Sequence, residues 1–341
     1  MKLVVFLASA KRLGAIVGDN IVDLNLAYAK YLAETVGESN PYALANATVP
    51  TSLHQFIEGG QKSIGEANKA IAHANRSLKT LAGPGGEKAV YGMQEVKLLA
   101  PIPNIGAKTV AMGGNFRAHR AEARGPSTPP GREEDSRRRL IPEEQIRGFM
   151  THTSCIIGPD DPVIFPPLTK MQDYEVECVA IMGTRSKNIP KEKAQEHIFG
   201  YTVSVDVCTR DERGYTREPY IHFVRPSKNY DCSKPMGPCI LVKEPGVNIY
   251  DHRMEMKVNG QLRQETMMSE MIYNFEDIIE FFSEDWTWNP GDMIWSGTCS
   301  GTAMGQQRQF NDLSWWIKPG DQMEATIEGI GVLKNKFISK V

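Results

Sequence analysis

Short runs of alternating apolar and polar residues fill most of the chain, and two longer helical patterns lie near its start. Apolar residues recur with helical spacing over residues 24–36 and again over residues 52–81, where the second pattern breaks near Gly59-Gly60. Shorter apolar runs predict strands over residues 2–9, 13–17 and 21–23. The first hundred residues therefore predict a small α+β module.

This module ends in glycine- and proline-rich sequence. Residues 82–86 lack the Lys-Ser/Thr pair of a phosphate-binding loop and do not follow a strand, so we interpret them as a hinge or linker. Pro101-Ile102-Pro103 is stiff and suits a boundary. We predict an accessory α+β domain over residues 1–103 and a main domain over residues 104–341.

The main domain is rich in predicted strands. It opens with a strand over residues 107–112, followed by a helix that Asn115 is expected to cap. Asn259-Gly260 lies between two alternating runs and predicts a two-residue hairpin. One clear helix is expected over residues 274–283. The predicted fold class is α+β and β-rich, with an antiparallel barrel or sandwich and few helices.

Composition and charge narrow the class of protein. The 341 residues suggest about two domains, and 39 basic against 41 acidic side chains give a net charge of −2. That balance argues against nucleic acid or a membrane surface as partner. Six cysteines without a C-x-x-C pair, no apolar stretch near the ~18 residues of a membrane span, and no convincing signal peptide indicate a cytosolic protein with reduced thiols. An enzyme and a binding protein both fit this composition.

Three acidic residues in two strand-like runs form the first candidate site. Glu175 and Glu177 are two residues apart, so a strand presents both carboxylates on one face and packs Val176 and Cys178 on the other. Asp206 lies among β-branched neighbours in the second run. Like charges so close resist ionising together unless a cation neutralises them, and hard oxygen ligands suit Mg²⁺ or Mn²⁺. The alternative is a strand edge that faces solvent.

The second candidate is a His-x-x-Glu pair on the helix expected after Asn115. His119 and Glu122 share a helix face, so the carboxylate can orient the imidazole and raise its basicity. Such a pair suits a general base that deprotonates water. A surface pair on a helix has the same pattern, so both interpretations stay open.

The third candidate is the glycine-flanked segment 297–301, which has the G-x-C-x-G form of a nucleophile elbow with Cys299 as nucleophile. That motif belongs to a strand-turn-helix, whereas the sequence predicts another β-rich stretch after it. We therefore favour a loop in which the Thr298 hydroxyl and backbone N–H groups hold an anionic substrate. Lys228 lies in a polar loop, which alone indicates little.

The motifs follow one another in a specific order. They occupy residues 114–122, 157–159, 173–177, 200–211, 228–231, 258–260, 290–292, 296–298 and 327–331. In that order they resemble the fumarylacetoacetate hydrolase family from about Ala107 to the C-terminus. The N-terminal module is similar to the accessory domain of longer bacterial members. The resemblance implies a mixed β-sandwich roll and a homodimer.

The resemblance also implies roles for the candidate residues. Glu175, Glu177 and Asp206 match the family's Mg²⁺ or Mn²⁺ ligands. His119 and Glu122 match a dyad in a lid that orders over the site when substrate binds.

Further positions of the resemblance concern the substrate. Lys228 matches a catalytic position, and Arg210, Tyr230 and Thr298 match positions that hold substrate oxygens.

Three residues depart from the family pattern around the substrate. Phe116 stands in place of the usual Tyr, Cys299 in place of Pro in many members, and Thr151 at a position often held by Lys. The polar, arginine-rich insert at residues 123–148 is longer than in compact members. These departures bear on the substrate more than on the metal.

The family acts on 1,3-dicarbonyl or 2-oxo acid compounds. We expect a metal-dependent hydrolase that cleaves a C–C bond in an acylpyruvate-like substrate from aromatic-compound catabolism, in which the cation stabilises an enolate and the dyad activates water. The alternatives are a decarboxylase, isomerase or hydratase of a 2-oxo acid at the same site. A non-catalytic relative that binds a metabolite is a further alternative.

Overall fold

The structure is a computed structural model that describes residues 1–124, 145–166, 169–210 and 227–339. Its α-helices are α1 Leu24–Tyr31, α2 Pro41–Thr48, α3 Leu53–Glu58, α4 Gly60–Ala74, α5 Arg117–Arg124, α6 Phe275–Asp285 and α7 Ala303–Phe310. Its strands are β1 Lys2–Leu7, β2 Lys11–Val17, β3 Asn20–Asp23, β4 Val90–Gly92, β5 Lys97–Leu99, β6 Thr109–Met112, β7 Gly148–Met150, β8 Ile156–Ile157, β9 Val163–Phe165, β10 Gln172–Asp173, β11 Val176–Met182, β12 Ile198–Val205, β13 Cys208–Thr209, β14 Lys234–Val242, β15 Arg253–Val258, β16 Gln261–Met267, β17 Met293–Trp295, β18 Gln322–Ile327 and β19 Gly331–Ser339.

A large mixed sheet forms the middle of the molecule. Its main path runs β4-β3-β2-β1-β14-β12-β11-β17-β6-β7, and β5 and β8 add to β1 and β14. Every residue of β11 and β12 is buried, since both faces of the sheet are covered. A second sheet, in the order β16-β15-β18-β19-β9, lies apart from it. The β-rich α+β fold predicted from the sequence is confirmed.

The residues of β11 alternate between two apolar cores, as the two-residue period of a strand requires. Val176, Cys178 and Ala180 pack in the core shared with β15, β18 and β19. Val179 and Ile181 pack in the core shared with the N-terminal helices α1, α3 and α4. The molecule therefore has three layers, with the large sheet between the smaller sheet and those helices.

The N-terminal residues join the large sheet directly. β1 pairs antiparallel with β14, and Lys2 stands opposite Leu241. The division at residues 103 and 104 stays a prediction, although this pairing and the shared core tie the two parts together. Among the described residues, no helix has the length and apolar character needed to cross a membrane.

The N-terminal helices differ in detail from the predicted ones. Helical turns cover residues 24–36, where α1 passes into a wider turn over Leu32–Val36. The break at Gly59-Gly60 separates α3 from α4, but α4 ends at Ala74 rather than near residue 81. The short α2 was not predicted; Asn40 caps it and Pro41 begins it.

Two predictions about the main domain have opposite outcomes. The Asn259-Gly260 hairpin is confirmed, with positive φ angles of 51° and 78° between β15 and β16. The predicted cap at Asn115 is wrong, because α5 begins at Arg117. The Asn115 amide instead donates to the carbonyls of Tyr273 (2.9 Å) and Ser296 (2.8 Å), which ties two distant loops together. Most of the predicted insert at 123–148 lies outside the described residues.

Candidate active site

The central strands β11 and β12 bring three acidic residues together. Glu175 precedes β11 and Glu177 lies within it, while Asp206 follows β12. The strands are antiparallel, and the Asp206 backbone N–H donates to the Glu175 carbonyl at 2.8 Å. Asp206 is therefore opposite Glu175, and an oxygen of each carboxylate lies within 4.8 Å of one on each of the others.

The three carboxylates are buried rather than at a strand edge. Their residues are 5%, 1% and 0% exposed for Glu175, Glu177 and Asp206. The alternative of a strand edge that faces solvent is therefore wrong. Buried charges of one sign require counter-charges, since the interior solvates them poorly.

Two cationic side chains supply part of that counter-charge. Lys228 Nζ donates to Glu175 Oε2 at 2.6 Å and to Asp206 Oδ2 at 2.7 Å. The Arg210 guanidinium donates through Nε to Asp173 at 3.1 Å and through Nη2 to Glu175. Burial raises the pKa of Glu175, but Lys228 and Arg210 outweigh it and hold that pKa well below its usual range.

Glu177 has the opposite environment. Burial raises its pKa well above the usual range, and the neighbouring carboxylates of Asp206 and Glu175 raise it further. The Gly297 backbone N–H donates to its Oε2 at 2.8 Å. Glu177 is thus the member of the set whose negative charge is least compensated.

The donor set fits a divalent cation. Three carboxylates within reach of one another are the hard oxygen ligands that Mg²⁺ and Mn²⁺ prefer. Lys228 Nζ lies between Glu175 and Asp206, so the site already attracts positive charge. The poorly compensated Glu177 is a further reason for a cation to bind there. Glu175, Glu177 and Asp206 would hold such an ion.

Sequence reasoning missed two charged residues beside this site. Lys234 is completely buried, and its Nζ donates to Asp206 Oδ1 and to the Lys228 carbonyl. A lysine at the start of an apolar strand was the available signal. Asp173 is also completely buried and accepts from Arg210 and from the backbone N–H groups of Ala303 (2.8 Å) and Met304 (3.3 Å).

His119 and Glu122 form a buried pair on α5. Glu122 Oε1 is 2.7 Å from His119 Nδ1, and both residues are buried. Gly301 N donates to Glu122 Oε2 at 2.8 Å, and the Thr302 hydroxyl donates to Oε1 at 2.9 Å. Glu122 therefore accepts the Nδ1 proton and leaves His119 Nε2 as a proton acceptor. His119 also lies close enough to Glu175 to interact electrostatically with its carboxylate.

The segment 297–301 leads into a helix, so the prediction of a further β-rich stretch after it is wrong. Thr302 caps α7, and its hydroxyl accepts from Gly305 N at 3.0 Å. The strand-turn-helix context of a nucleophile elbow is therefore present. The thiol is not activated, however, because burial raises the pKa of Cys299 to about 12.

Thr298 and Tyr230 already have protein partners. The Thr298 hydroxyl donates to the Val176 carbonyl at 2.8 Å and accepts from Gln264 Nε2 at 2.9 Å. The Tyr230 hydroxyl accepts from Gln172 Nε2 at 2.6 Å. Their roles in substrate binding stay predictions, and for Thr298 they require either the backbone or a rearranged hydroxyl.

Comparison with known protein families identifies the family to which this chain belongs. Residues 108–338 match the model of the fumarylacetoacetate (FAA) hydrolase C-terminal domain, which covers more than half of the chain. The chain belongs to the fumarylacetoacetate hydrolase family. The resemblance stated from the sequence motifs is thereby confirmed.

Relatives of this fumarylacetoacetate hydrolase family member include enzymes with different reactions. Oxaloacetate tautomerase YisK of Bacillus subtilis is 32% identical over 293 residues, which are 85% of this chain and 87% of that protein. The structure of fumarylacetoacetate hydrolase from Exiguobacterium antarcticum matches over 100% of both chains, with a TM-score of 0.71 and 25% identity. The maleylpyruvate hydrolase of Sphingobium sp. SYK-6, solved with manganese(II) and pyruvate, has the same fold over 100% of both chains (TM-score 0.66, 22% identity).

Two of the residues that depart from the family pattern, Phe116 and Thr151, have defined surroundings. Phe116 is 1% exposed and belongs to the core beside α5. The Thr151 hydroxyl donates to Asn229 Oδ1 at 2.7 Å, next to Lys228. Thr151 therefore contacts the loop that carries Lys228. The resemblance to the family leads us to expect a lysine at position 151 in many members.

Proposed function

We propose that this protein binds Mg²⁺ or Mn²⁺ together with a small 2-oxo acid and catalyses keto–enol tautomerisation, with oxaloacetate as the first substrate to test. The observation that carries the proposal is the meeting of three buried carboxylates with two cations and the pair His119–Glu122. A relative that aligns over 85% of the chain bears the name oxaloacetate tautomerase, which supports proton transfer as the reaction.

In this proposal, the divalent cation and the positively charged side chains of Arg210 and Lys228 have separate roles. When bound, a divalent cation supplies Lewis-acid chemistry that favours negative charge on the substrate oxygens. Arg210 is held by Asp173 and Glu175, which fixes its planar guanidinium for a substrate carboxylate. Lys228 adds positive charge in a setting where few waters can screen it.

His119 moves the proton in this proposal. Its Nε2 takes a proton from the carbon beside the 2-oxo group, the C–H electrons form the C=C bond, and the carbonyl oxygen receives the proton back from the imidazolium. Glu122 holds the imidazole and stabilises its positive charge through the Nδ1 contact. The reverse sequence converts enol to keto acid, so atoms and charge balance in both directions.

C–C bond hydrolysis of an acylpyruvate is the second candidate, and the buried His119–Glu122 pair favours it because such a pair also activates water. The two reactions share the enol form of the substrate. They differ in whether water attacks the distal carbonyl and splits the molecule.

Ketonisation of enol-oxaloacetate, followed by ultraviolet absorbance, tests the first candidate. We expect a rate that requires Mg²⁺ or Mn²⁺, is lost on chelation and returns with added Mn²⁺. His119→Ala should lower kcat by about 10²–10⁴-fold while Mn²⁺ affinity is kept. His54→Ala is a matched control, because His54 also pairs with a glutamate, Glu58, but on the N-terminal helix α3 and not on α5. This variant should keep the wild-type kcat. Full activity after chelation contradicts the metal-dependent mechanism.

Mass spectrometry of acylpyruvate reactions in H₂¹⁸O tests the second candidate. Split products that contain ¹⁸O support hydrolysis, whereas intact substrate together with rapid tautomerisation supports the first candidate. CO₂ released from oxaloacetate identifies a decarboxylase. Failure of every assay with intact Mn²⁺ binding favours a metabolite-binding relative without catalysis.

We also propose a homodimer, as the family resemblance implies. Sedimentation equilibrium of the metal-loaded protein tests it. A mass equal to one chain of 38.0 kDa contradicts it.

A further inference from the structure

A lysine with no exposed surface lies beside the carboxylates and has no part in the proposed reaction. Lys234 begins β14, the strand that pairs with β12 and so lies next to Asp206. Its ammonium group donates to Asp206 Oδ1 and to the Lys228 carbonyl. Burying a lysine completely is costly unless its charge is paired, so the contact with Asp206 is what allows Lys234 to be buried here.

The two oxygens of Asp206 are bound by different cations. Lys234 Nζ binds Oδ1, and Lys228 Nζ binds Oδ2 at 2.7 Å. The Lys228 side chain is 15% exposed and lies on a loop, whereas the Lys234 side chain is 0% exposed and lies at the start of a strand. The partly exposed Lys228 ammonium group can move aside when a cation binds Asp206, whereas the Lys234 ammonium group is enclosed and stays on Oδ1.

The charges of the site make Lys234 important for cation binding. Four buried acids, Asp173, Glu175, Glu177 and Asp206, face three cations, Arg210, Lys228 and Lys234. A fixed ammonium group on Asp206 compensates that carboxylate when no metal is bound. The same positive charge repels a divalent ion at the other oxygen.

We propose that Lys234 is an internal counter-cation of the metal site, which holds Asp206 in place before the metal binds and weakens the binding of the metal. This inference rests on the proposed function, because it requires Glu175, Glu177 and Asp206 to bind a divalent cation. Lys234 is a positioning residue, and it leaves Asp206 one oxygen for the ion.

Two variants separate charge from hydrogen bonding. Lys234→Met removes the ammonium group and keeps much of the apolar side chain, while Lys234→Gln keeps a hydrogen-bond donor without the charge. Mn²⁺ alone is the probe, with free Mn²⁺ counted by electron paramagnetic resonance and unfolding followed with and without it. We expect both variants to bind Mn²⁺ roughly tenfold more tightly than the wild type, since a nearby positive charge is gone. Their Tm should fall mainly without Mn²⁺ and recover with it.

The matched control is Lys108→Met. Lys108 Nζ binds the Asp292 carboxylate at 2.7 Å. The Asp292 carbonyl accepts from the backbone N–H of Met182, the last residue of β11, so this ion pair lies at the opposite end of the strand from Glu177. This variant should lose equal stability with and without Mn²⁺, and its Mn²⁺ affinity should equal that of the wild type.

The outcomes distinguish this inference from the proposed function. Wild-type protein that binds no Mn²⁺ overturns both. Wild-type binding with unchanged or weaker affinity in both variants overturns the inference alone. Tighter binding in Lys234→Met but wild-type affinity in Lys234→Gln also overturns it, because the role is then a hydrogen bond and not a charge. If a variant folds only with Mn²⁺, the inference is supported; if neither folds even with Mn²⁺, Lys234 is structural and the inference is wrong.

Discussion

At the scale of single residues, two glutamates on one strand face have opposite electrostatic surroundings. Lys228 and Arg210 contact Glu175 and outweigh the effect of its burial, whereas burial and the carboxylates of Asp206 and Glu175 outweigh the effects of Lys228 and the Gly297 N–H on Glu177. The strand places both side chains on the same side, but their neighbours decide the direction of each pKa shift. The protonation of each glutamate therefore depends on residues from neighbouring strands and loops and not on its position in or next to β11.

Arg210 is expected to depend on its guanidinium shape. It binds Asp173 through Nε and Glu175 through Nη2, so two nitrogens of one rigid planar group make the contacts, and a lysine lacks that fixed geometry. Arg210→Lys should raise KM for a 2-oxo acid by about 10- to 150-fold, because one well-placed charged contact contributes roughly 1.5–3 kcal/mol. Steady-state kinetics measure this effect, and Mn²⁺ binding should stay close to that of the wild type. An unchanged KM removes Arg210 from substrate binding.

Cys299 is expected to be chemically inert at neutral pH. Burial raises its pKa to about 12, so the thiolate is scarce at pH 8 and alkylation there should be slow. Alkylation of the native protein followed by peptide mass spectrometry measures this. Cys299→Ser should keep its activity; loss of activity together with rapid alkylation at pH 8 restores the nucleophile interpretation.

At the scale of elements, the start of α7 connects two parts of the site. Gly301 and Thr302 bind Glu122, while Ala303 and Met304 bind Asp173, the partner of Arg210. Carboxylates are favourable at a helix N-terminus, where backbone N–H groups lack partners within the helix. One helix end thus positions both the His119–Glu122 pair and, through Asp173, Arg210, the cation proposed to bind substrate.

Gly305 in α7 provides a direct test of this arrangement. A Cβ at this position would lie 2.2 Å from Glu122 Oε2, so Glu122 has to leave its place. Gly305→Ala should therefore lower kcat by about 10²-fold or more, through loss of the oriented base, while the protein stays folded.

Gly65→Ala in α4 is the matched control for this variant. Nothing lies within 4 Å of a Cβ there, so the substitution should stabilise the exposed helix by about 0.5–1 kcal/mol and leave kcat unchanged. Normal activity in Gly305→Ala would show that Glu122 is not required.

At the scale of the whole molecule, the N-terminal residues complete the core of the large sheet. Leu3 and Val5 of β1 pack in one apolar core with Val179, Ile181 and Trp295, and β1 covers the edge of β14. A fragment of residues 104–341 should therefore expose this face and an open strand edge, which favours aggregation.

Expression of that fragment measures the expectation. We expect insoluble protein, or a Tm well below that of the full chain. A soluble fragment with a cooperative transition at the Tm of the full chain instead supports residues 104–341 as an independent domain.

The sequence by itself determined the features that depend on local geometry. The two-residue period of a strand placed Glu175 and Glu177 on one face, and helical spacing paired His119 with Glu122. The order of motifs indicated the family, which the match over residues 108–338 confirmed. Each of these features involves residues close in the chain, or a pattern that can be read without contacts.

Only the tertiary structure decided which distant residues compensate the buried charges. Thr302 binds Glu122 across 180 residues, and Lys234 binds Asp206 across 28. The apolar residues after Lys234 indicate a buried strand, but they do not show that the ammonium group itself is buried, because its burial depends on how separate strands pair and which faces are covered. The reason is physical: the interior requires every buried charge to find a partner, and the fold selects that partner from the whole chain.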